Sequence, residues 1–158
     1  MIVKEIRDED FTNYKKPSMV IGFPSCTFKC ERECGQKMCQ NSTLVHAPNI
    51  EISWDDIALR YIKNPISKAI VFGGLEPFDD FVNMYELLKR IRQYTSDDVV
   101  IFTGYKKDEI FQYINVLKSN FNNIIIKFGR FVPNQQPHYD EVLGIMLASS
   151  NQYAERIS

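Results

Sequence analysis

Four cysteines, Cys26, Cys30, Cys34 and Cys39, lie in one short stretch of the 158-residue chain, and none lies elsewhere in the sequence. A disulfide scaffold distributes its cysteines to cross-link distant segments, so this spacing favours metal binding or redox chemistry. Thiolate sulfur is a soft ligand that suits both zinc and iron–sulfur clusters. Four thiolates would close a tetrahedral zinc site, whereas three would hold a [4Fe–4S] cluster and leave one iron open. Reduced thiols in a surface loop are the third interpretation.

The elements that must position these cysteines follow from the hydrophobic pattern. Short apolar runs predict strands, and apolar residues at spacings of three and four predict helices. Segment 24–50 contains every cysteine and is expected to be a long functional loop. Strands are predicted at 18–23, 69–72, 99–103 and 124–126, with a further one at 142–147, and helices from the N-cap Ser53 to just before Pro65, at 81–94 and at 108–117.

This alternation of strands and helices predicts an α/β fold with a mainly parallel sheet. In such folds the functional site lies at the C-terminal ends of the strands. Three segments follow predicted strands: the cysteine stretch, Gly73-Gly74-Leu75-Glu76-Pro77 and Thr103-Gly104-Tyr105. We therefore expect these three segments to converge at one edge of the sheet.

Composition excludes several classes of protein. Lys and Arg number 19 against 20 Asp and Glu, and hydrophobic residues make up 44% of the chain. That balance is not the signature of disorder, and it gives no electrostatic footprint for nucleic acid or an anionic membrane. No apolar run approaches the roughly 20 residues that span a bilayer. We expect a cytoplasmic protein with a single domain over residues 1–158 and no nucleic-acid or membrane partner.

Taken in order, the motifs resemble those of the small radical S-adenosylmethionine (SAM) proteins that activate anaerobic ribonucleotide reductase. That family has a Cys-x3-Cys-x2-Cys motif followed by Tyr-Asn and a small hydroxyl residue, and then a Gly-Gly-Glu/Asp-Pro motif. The similarity spans nearly the whole chain and rests on Cys26-x3-Cys30, Cys39-Gln40-Asn41-Ser42-Thr43, Gly73-Gly74-Leu75-Glu76-Pro77, Thr103-Gly104-Tyr105 and Ser149-Ser150-Asn151-Gln152.

The resemblance implies a radical SAM-like domain, built as a partial, open βα barrel, with its cluster loop at about 24–43. It implies a [4Fe–4S] cluster and SAM as cofactors, and reductive cleavage of SAM to methionine and a 5′-deoxyadenosyl radical. That radical would take a hydrogen atom from a glycine of a partner enzyme, expected to be the large subunit of anaerobic ribonucleotide reductase. The electron would come from a reduced flavodoxin or a ferredoxin-type donor.

Two departures from the family pattern concern the ligands and the glycine loop. Eight residues separate Cys30 from Cys39 where the family has two, and the insertion brings Cys34. In the radical SAM pattern an apolar residue before the third ligand packs on the adenine, which suits Met38 and not Glu33. The resemblance therefore assigns Cys26, Cys30 and Cys39 as ligands, with Cys34 as the alternative. Leu75 lengthens the Gly-Gly-Glu loop by one residue.

The same resemblance assigns the SAM-binding residues. Glycines let a backbone approach a ligand closely, and Glu76 would accept a hydrogen bond from the SAM ammonium group. From their chemistry alone, Lys127 and Arg130 contact the SAM carboxylate or a partner protein, or they belong to a solvated loop. The glycine motif is otherwise a strand-to-helix turn with Pro77 at the helix start. The assigned SAM contacts are Met38, Asn41, Gly73, Gly74, Glu76, Thr103 and Gly104.

Two alternatives to this function follow from the sequence. The chain could activate a different glycyl-radical enzyme or modify another macromolecule. It could instead be a non-catalytic cysteine-rich module that binds zinc and recognises a partner. The identity of the bound metal separates these classes.

Overall fold

Four parallel strands form the centre of the fold. The computed structural model describes residues 1–37 and 39–158, and all elements below belong to that part of the chain. The strands are β1 Ile2–Val3, β2 Glu5–Asp10, β3 Ser18–Phe23, β4 Ile50–Glu51, β5 Ala69–Gly74, β6 Asp98–Phe102, β7 Ile124–Phe128, β8 His138–Asp140, β9 Ile145–Leu147 and β10 Tyr153–Arg156. The α-helices are α1 Lys29–Cys34, α2 Ser42–His46, α3 Trp54–Lys63, α4 Phe81–Arg92 and α5 Phe111–Asn120. Two 3-10 helices, Pro77–Asp80 and Lys107–Ile110, precede α4 and α5.

The main sheet has the strand order β10-β7-β6-β5-β3-β2. Strands β3, β5, β6 and β7 are parallel neighbours, and β2 and β10 pair antiparallel at the two edges. Among the described residues no sheet closes on itself, so the protein is a mixed α/β structure with a mainly parallel central sheet and not a closed barrel. Small antiparallel pairs join β1 to β4 and β8 to β9.

The two faces of the sheet are buried against different layers. Helices α3, α4 and α5 pack on one face through residues such as Ile57, Leu88 and Ile114. The other face is covered by Tyr14, Leu143 and residues near the C-terminus. A sheet covered on both faces requires nearly continuous apolar strands, which is why every residue of β3 is buried. No helix within the described residues meets the length and apolar character that a bilayer crossing requires.

Most predicted elements lie where the sequence pattern placed them. Strand β3 has the predicted bounds, and Ser53 caps α3 by accepting from the backbone N–H of Asp56. Helix α4 begins at the predicted Phe81 and ends two residues early, at Arg92. The helix predicted at 108–117 is a 3-10 turn followed by α5, which extends to Asn120.

Two predictions were wrong in detail. The cysteine segment is not a plain loop, because it contains the short helices α1 and α2. The strand predicted at 142–147 begins only at Ile145, because Asp140 to Gly144 form a turn in which Gly144 has φ 72° and donates to the Asp140 carbonyl. The antiparallel edge strands β2 and β10 had no counterpart among the predicted elements.

Candidate functional site

A cavity of about 500 Å³ lies at the carboxyl ends of the parallel strands. Its size is that of a small-molecule site, for which about 300–1,000 Å³ is usual. Residues that follow β3, β5 and β6 line it, together with residues of β7 and of the segment after β7. The three segments that the sequence placed at one edge therefore do border one cavity.

Three of the four cysteines line this cavity: Cys26, Cys30 and Cys39. Cys26 follows β3, Cys30 lies in α1, and Cys39 precedes α2. Cys34 lies at the end of α1 and is not among the described residues that line the cavity. Among the described residues, no three His, Cys, Asp or Glu side chains converge tightly enough to hold a single metal ion.

Burial favours the protonated form of two cavity thiols, Cys26 and Cys30. Burial raises the pKa of Cys26 to about 11, and the nearby carboxyl groups of Glu76 and Asp79 act in the same direction. Burial also raises the pKa of Cys30. A metal binds the thiolate, so loading of the site must release protons and is favoured at higher pH.

The cysteine loop is shaped by a turn between Cys26 and Cys30. Phe28 adopts a left-handed conformation with φ 52°, and its backbone N–H donates to Cys26 Sγ at 3.2 Å. Further along, the backbone N–H of Cys39 donates to the Glu31 carboxylate at 3.1 Å. Local hydrogen bonds within the segment thus shape both ends of the cysteine stretch.

The two glycines at the end of β5 differ in what they require. Gly74 has φ 86°, and a Cβ on it would lie 2.6 Å from Gly22 Cα, so only glycine fits there. A Cβ on Gly73 would meet Phe102 Cβ at 3.9 Å, an ordinary contact. Asn41 reaches this edge from the cysteine segment, because its side-chain amide donates to the Gly74 carbonyl at 2.5 Å.

Glu76 lies under the cavity and connects two strand ends. Glu76 is 4% exposed. Its carboxylate accepts hydrogen bonds from Thr103 Oγ1 at 2.8 Å, Gly104 N at 2.9 Å and Phe78 N at 3.2 Å. Burial raises the pKa of Glu76 to about 7, although these hydrogen bonds oppose the shift. Thr103 and Gly104, both predicted to bind SAM, thus contact Glu76 directly.

Two buried cationic side chains border the same cavity. Lys127, on β7, donates from Nζ to the Gly129 carbonyl at 2.9 Å, and burial lowers its pKa to about 8. Arg130 donates to Glu109 at 2.8 Å and lies 3.2 Å from a Glu33 oxygen. Its Nη1 is buried and has no hydrogen-bond acceptor among the described residues. Both cations have donors left for an anionic group in the cavity.

Sequence reasoning missed a carboxylate beside the cysteines. Asp79 accepts from the backbone N–H of Thr27 at 2.7 Å and from Tyr105 Oη at 2.5 Å. The sequence could have identified Asp79 from its position just after Pro77, at the predicted carboxyl ends of the strands. Glu109 was also missed, although it pairs with both Lys29 and Arg130 and so joins α1 to the segment after β7.

Met38, the residue predicted to pack on the adenine, lies outside the described residues. The other residues predicted to bind SAM, namely Asn41, Gly73, Gly74, Glu76, Thr103 and Gly104, all line the cavity with Cys26, Cys30 and Cys39.

Comparison with known proteins adds one finding. Residues 19–153 match the model of a family described as a 4Fe-4S single cluster domain. No curated protein matches the chain. No solved structure matches it either.

Proposed function

The chain belongs to the 4Fe-4S single cluster domain family, and from this premise we propose that it is a radical SAM activase that generates a glycyl radical on a partner enzyme. The observation that carries the proposal is one cavity bordered by three cysteines and two buried cationic side chains, Lys127 and Arg130. The iron–sulfur character is a property of the family. The SAM chemistry is our inference from the cavity and the motif order.

The cysteines at the cavity fit a [4Fe–4S] cluster. Thiolates are the usual ligands of such clusters, and Cys26, Cys30 and Cys39 line the same cavity. We propose these three as the ligands, with Cys34 as the alternative to Cys39. Three thiolate ligands would leave one iron of the cluster open, and the cluster, when bound, would supply the electron for reductive cleavage of SAM.

The rest of the cavity suits the remaining parts of SAM. Lys127 and Arg130 keep free donors for a carboxylate, which forms strong charge-assisted hydrogen bonds with such cations. Gly73 gives a backbone that a ligand can approach without meeting a side chain. We propose that Asn41, Gly73, Gly74, Glu76, Thr103 and Gly104 surround the bound SAM.

The open sheet supports a protein substrate. Strands β3, β5, β6 and β7 lie in chain order with α3, α4 and α5 on one face, and this order supports the proposed partial βα barrel. An unclosed sheet leaves access for a loop of a large partner to reach the cavity. We propose the large subunit of anaerobic ribonucleotide reductase as that partner, and a reduced flavodoxin or ferredoxin as electron donor.

The first experiment is anaerobic purification and reconstitution with iron and sulfide. EPR of the dithionite-reduced protein is then recorded with and without SAM, and 5′-deoxyadenosine is measured. We expect a reduced [4Fe–4S] signal that changes when SAM is added, together with formation of 5′-deoxyadenosine. An EPR signal that does not change when SAM is added, without formation of 5′-deoxyadenosine, would reject the activase. The protein would then remain an iron–sulfur protein of another function. Stoichiometric zinc without iron uptake would indicate the non-catalytic binding module instead.

The partner is tested by adding the anaerobic ribonucleotide reductase large subunit to the loaded protein with SAM and the reduced donor. We expect the EPR doublet of a glycyl radical on the large subunit, and none when SAM is omitted. Production of 5′-deoxyadenosine without that doublet, followed by a doublet on another glycyl-radical enzyme, would identify the alternative activase.

A further inference from the structure

We propose that Asp79 and Tyr105 are positioning residues for the cluster: they hold the turn between Cys26 and Cys30 in the shape that presents the Cys26 sulfur. Neither residue is a proposed ligand of the cluster. The inference rests on the proposed ligand role of Cys26, but it does not depend on SAM cleavage.

Asp79 and Tyr105 form a hydrogen-bonded bridge to the residue after Cys26. One carboxylate oxygen of Asp79 accepts from the Thr27 backbone N–H at 2.7 Å, and the other accepts from Tyr105 Oη at 2.5 Å. The Thr27 hydroxyl lies 3.4 Å from Tyr105 Oη. Because the Tyr105 hydroxyl donates its proton to Asp79, the contact between the two hydroxyls requires Thr27 to donate to Tyr105 Oη. Three separate segments therefore meet at Thr27.

The turn that this bridge holds is conformationally costly. Phe28 lies in the left-handed region, which a bulky side chain rarely adopts and which persists only when surrounding contacts enforce it. The bond from Thr27 N–H to Asp79 fixes the backbone immediately before Phe28. With the turn fixed, the Phe28 N–H reaches Cys26 Sγ at 3.2 Å. Hydrogen bonds to ligand sulfurs are one of the factors that set the potential of an iron–sulfur cluster.

The ring of Tyr105 is itself held from two sides. Lys29 Nζ and the Arg130 guanidinium carbon each lie 5.8 Å from the ring centroid, and the Tyr105 carbonyl accepts from Gly129 N at 3.0 Å. Tyr105 thus connects the end of β6, helix α1 and the segment after β7. Tyr105→Phe keeps the ring and both cation contacts, and it removes only the hydroxyl.

The test uses Asp79→Ala and Tyr105→Phe in the full chain, reconstituted anaerobically and measured without SAM. Asp80→Ala is the matched control for loss of one neighbouring carboxylate, and Tyr113→Phe is the control for loss of a tyrosine hydroxyl on α5. The first readout is the rate of iron loss to a chelator. We expect it to rise about tenfold in Asp79→Ala and about threefold in Tyr105→Phe relative to these controls, since a charge-assisted hydrogen bond is lost.

The second readout is the midpoint potential from an EPR redox titration, which a purely structural role would leave unchanged. Loss of the hydrogen bond from the Phe28 N–H to the Cys26 sulfur disfavours the reduced cluster, because the reduced cluster carries more negative charge. We therefore expect a more negative potential in Tyr105→Phe than in Tyr113→Phe. The Asp79 variants are compared by iron loss alone, because removing a carboxylate near Cys26 by itself shifts the potential in the opposite direction. Asp79→Asn keeps one acceptor oxygen for Thr27 N–H and should restore most of the iron retention.

Iron loss and potentials equal to those of the control variants would overturn the positioning role. If circular dichroism shows that Asp79→Ala does not fold, Tyr105→Phe decides, because it preserves the packing of the ring. These outcomes are separate from the fate of the activase proposal. A wild-type cluster that ignores SAM rejects the activase, while the difference between the bridge variants and their controls still decides the role of Asp79 and Tyr105.

Discussion

The amino ends of the parallel strands, which we call the amino edge, and their carboxyl ends, the carboxyl edge, differ in how buried charged groups are paired. At the amino edge, Asp98 opens β6 and accepts from Tyr14 Oη at 3.0 Å, Lys16 Nζ at 2.6 Å and Arg156 Nη2 at 2.7 Å. Burial alone would raise the pKa of Asp98, but these donors lower it to about 2. The carboxylate is therefore ionised and fully paired at neutral pH, so this edge stabilises the fold.

At the carboxyl edge Arg130 is paired with Glu109, but Glu76 and Lys127 form no salt bridge with a described residue. The Glu76 carboxylate accepts from two backbone N–H groups and one hydroxyl, and burial raises its pKa to about 7. Lys127 donates to a backbone carbonyl, and burial lowers its pKa to about 8. Both shifts mean that the charged form is disfavoured in the folded protein.

The difference shows at which end of the strands unpaired charge lowers the stability of the fold. Incompletely paired buried charges cost free energy, and groups with shifted pKa values concentrate at functional sites, where a ligand can need them. The amino edge has no such need, because its charges are neutralised by side chains of the same chain. The comparison therefore makes separable predictions for the two edges, in cluster content, ligand binding and stability.

The largest expected effect separates the cluster from the fold. Cys39→Ala should abolish [4Fe–4S] loading, because a third thiolate ligand is lost, whereas Cys34→Ala should retain most of it. Iron and sulfide content after anaerobic reconstitution measures both. Chemical denaturation of the apo forms should show nearly unchanged free energies of unfolding, since neither cysteine is buried. Full iron content in Cys39→Ala would transfer the ligand role to Cys34.

Next in size is a pair of glycine variants at the carboxyl edge. Gly74→Ala should cost about 3 kcal/mol of unfolding free energy, because the left-handed φ and a 2.6 Å approach to Gly22 Cα both oppose a Cβ. Gly73→Ala should fold normally, since its Cβ meets Phe102 at an ordinary distance, and should instead weaken SAM binding. Urea denaturation distinguishes the two. Equal stability losses would contradict the assigned difference.

The sequence predicted the interior of the fold better than its edges and its site contacts. Strands β3 and β5 and helix α4 carry strong apolar patterns, so local reasoning found them. Strand β2 is polar and half-exposed because it lies at a sheet edge, and its pairing with β3 is set by tertiary contact. At the site, short motifs revealed the loops but not Asp79, whose partners Thr27 and Tyr105 lie 52 and 26 residues away in sequence.

A smaller effect tests the amino edge through its pH dependence. The pKa of Asp98 is lower in the folded than in the unfolded chain, so its contribution is present above the unfolded value. That contribution is lost as the pH falls from about 4 to about 2. Asp98→Asn should lower the unfolding free energy at pH 7 by about 2 kcal/mol. It should also flatten the loss between pH 4 and 2, while iron content stays unchanged. Urea denaturation across this range measures it, and an unchanged acid profile would contradict the pairing.

The smallest expected change in stability has the opposite sign and concerns Lys127. Its pKa is lower in the folded chain than in the unfolded chain, so the unfolded state binds more protons between about pH 8 and 10, and stability rises with pH in that window. Lys127→Met removes the desolvated charge and keeps the length of the side chain. It should raise the unfolding free energy at pH 7 by about 1 kcal/mol and remove the rise with pH.

The same substitution should weaken SAM binding, because the cavity loses a donor for the carboxylate. Titration of the SAM-dependent EPR change should show an affinity lower by about tenfold or more. Lys107→Met is the control, since Lys107 is a lysine paired with Glu155 on the surface, and it should alter neither SAM binding nor the rise between about pH 8 and 10. Its ion pair raises the pKa of Lys107, so its own contribution changes only at higher pH. Loss of stability together with unchanged SAM affinity in Lys127→Met would remove the contrast between the two edges. A gain of stability accompanied by loss of affinity would show that the carboxyl edge keeps its buried cation for a ligand.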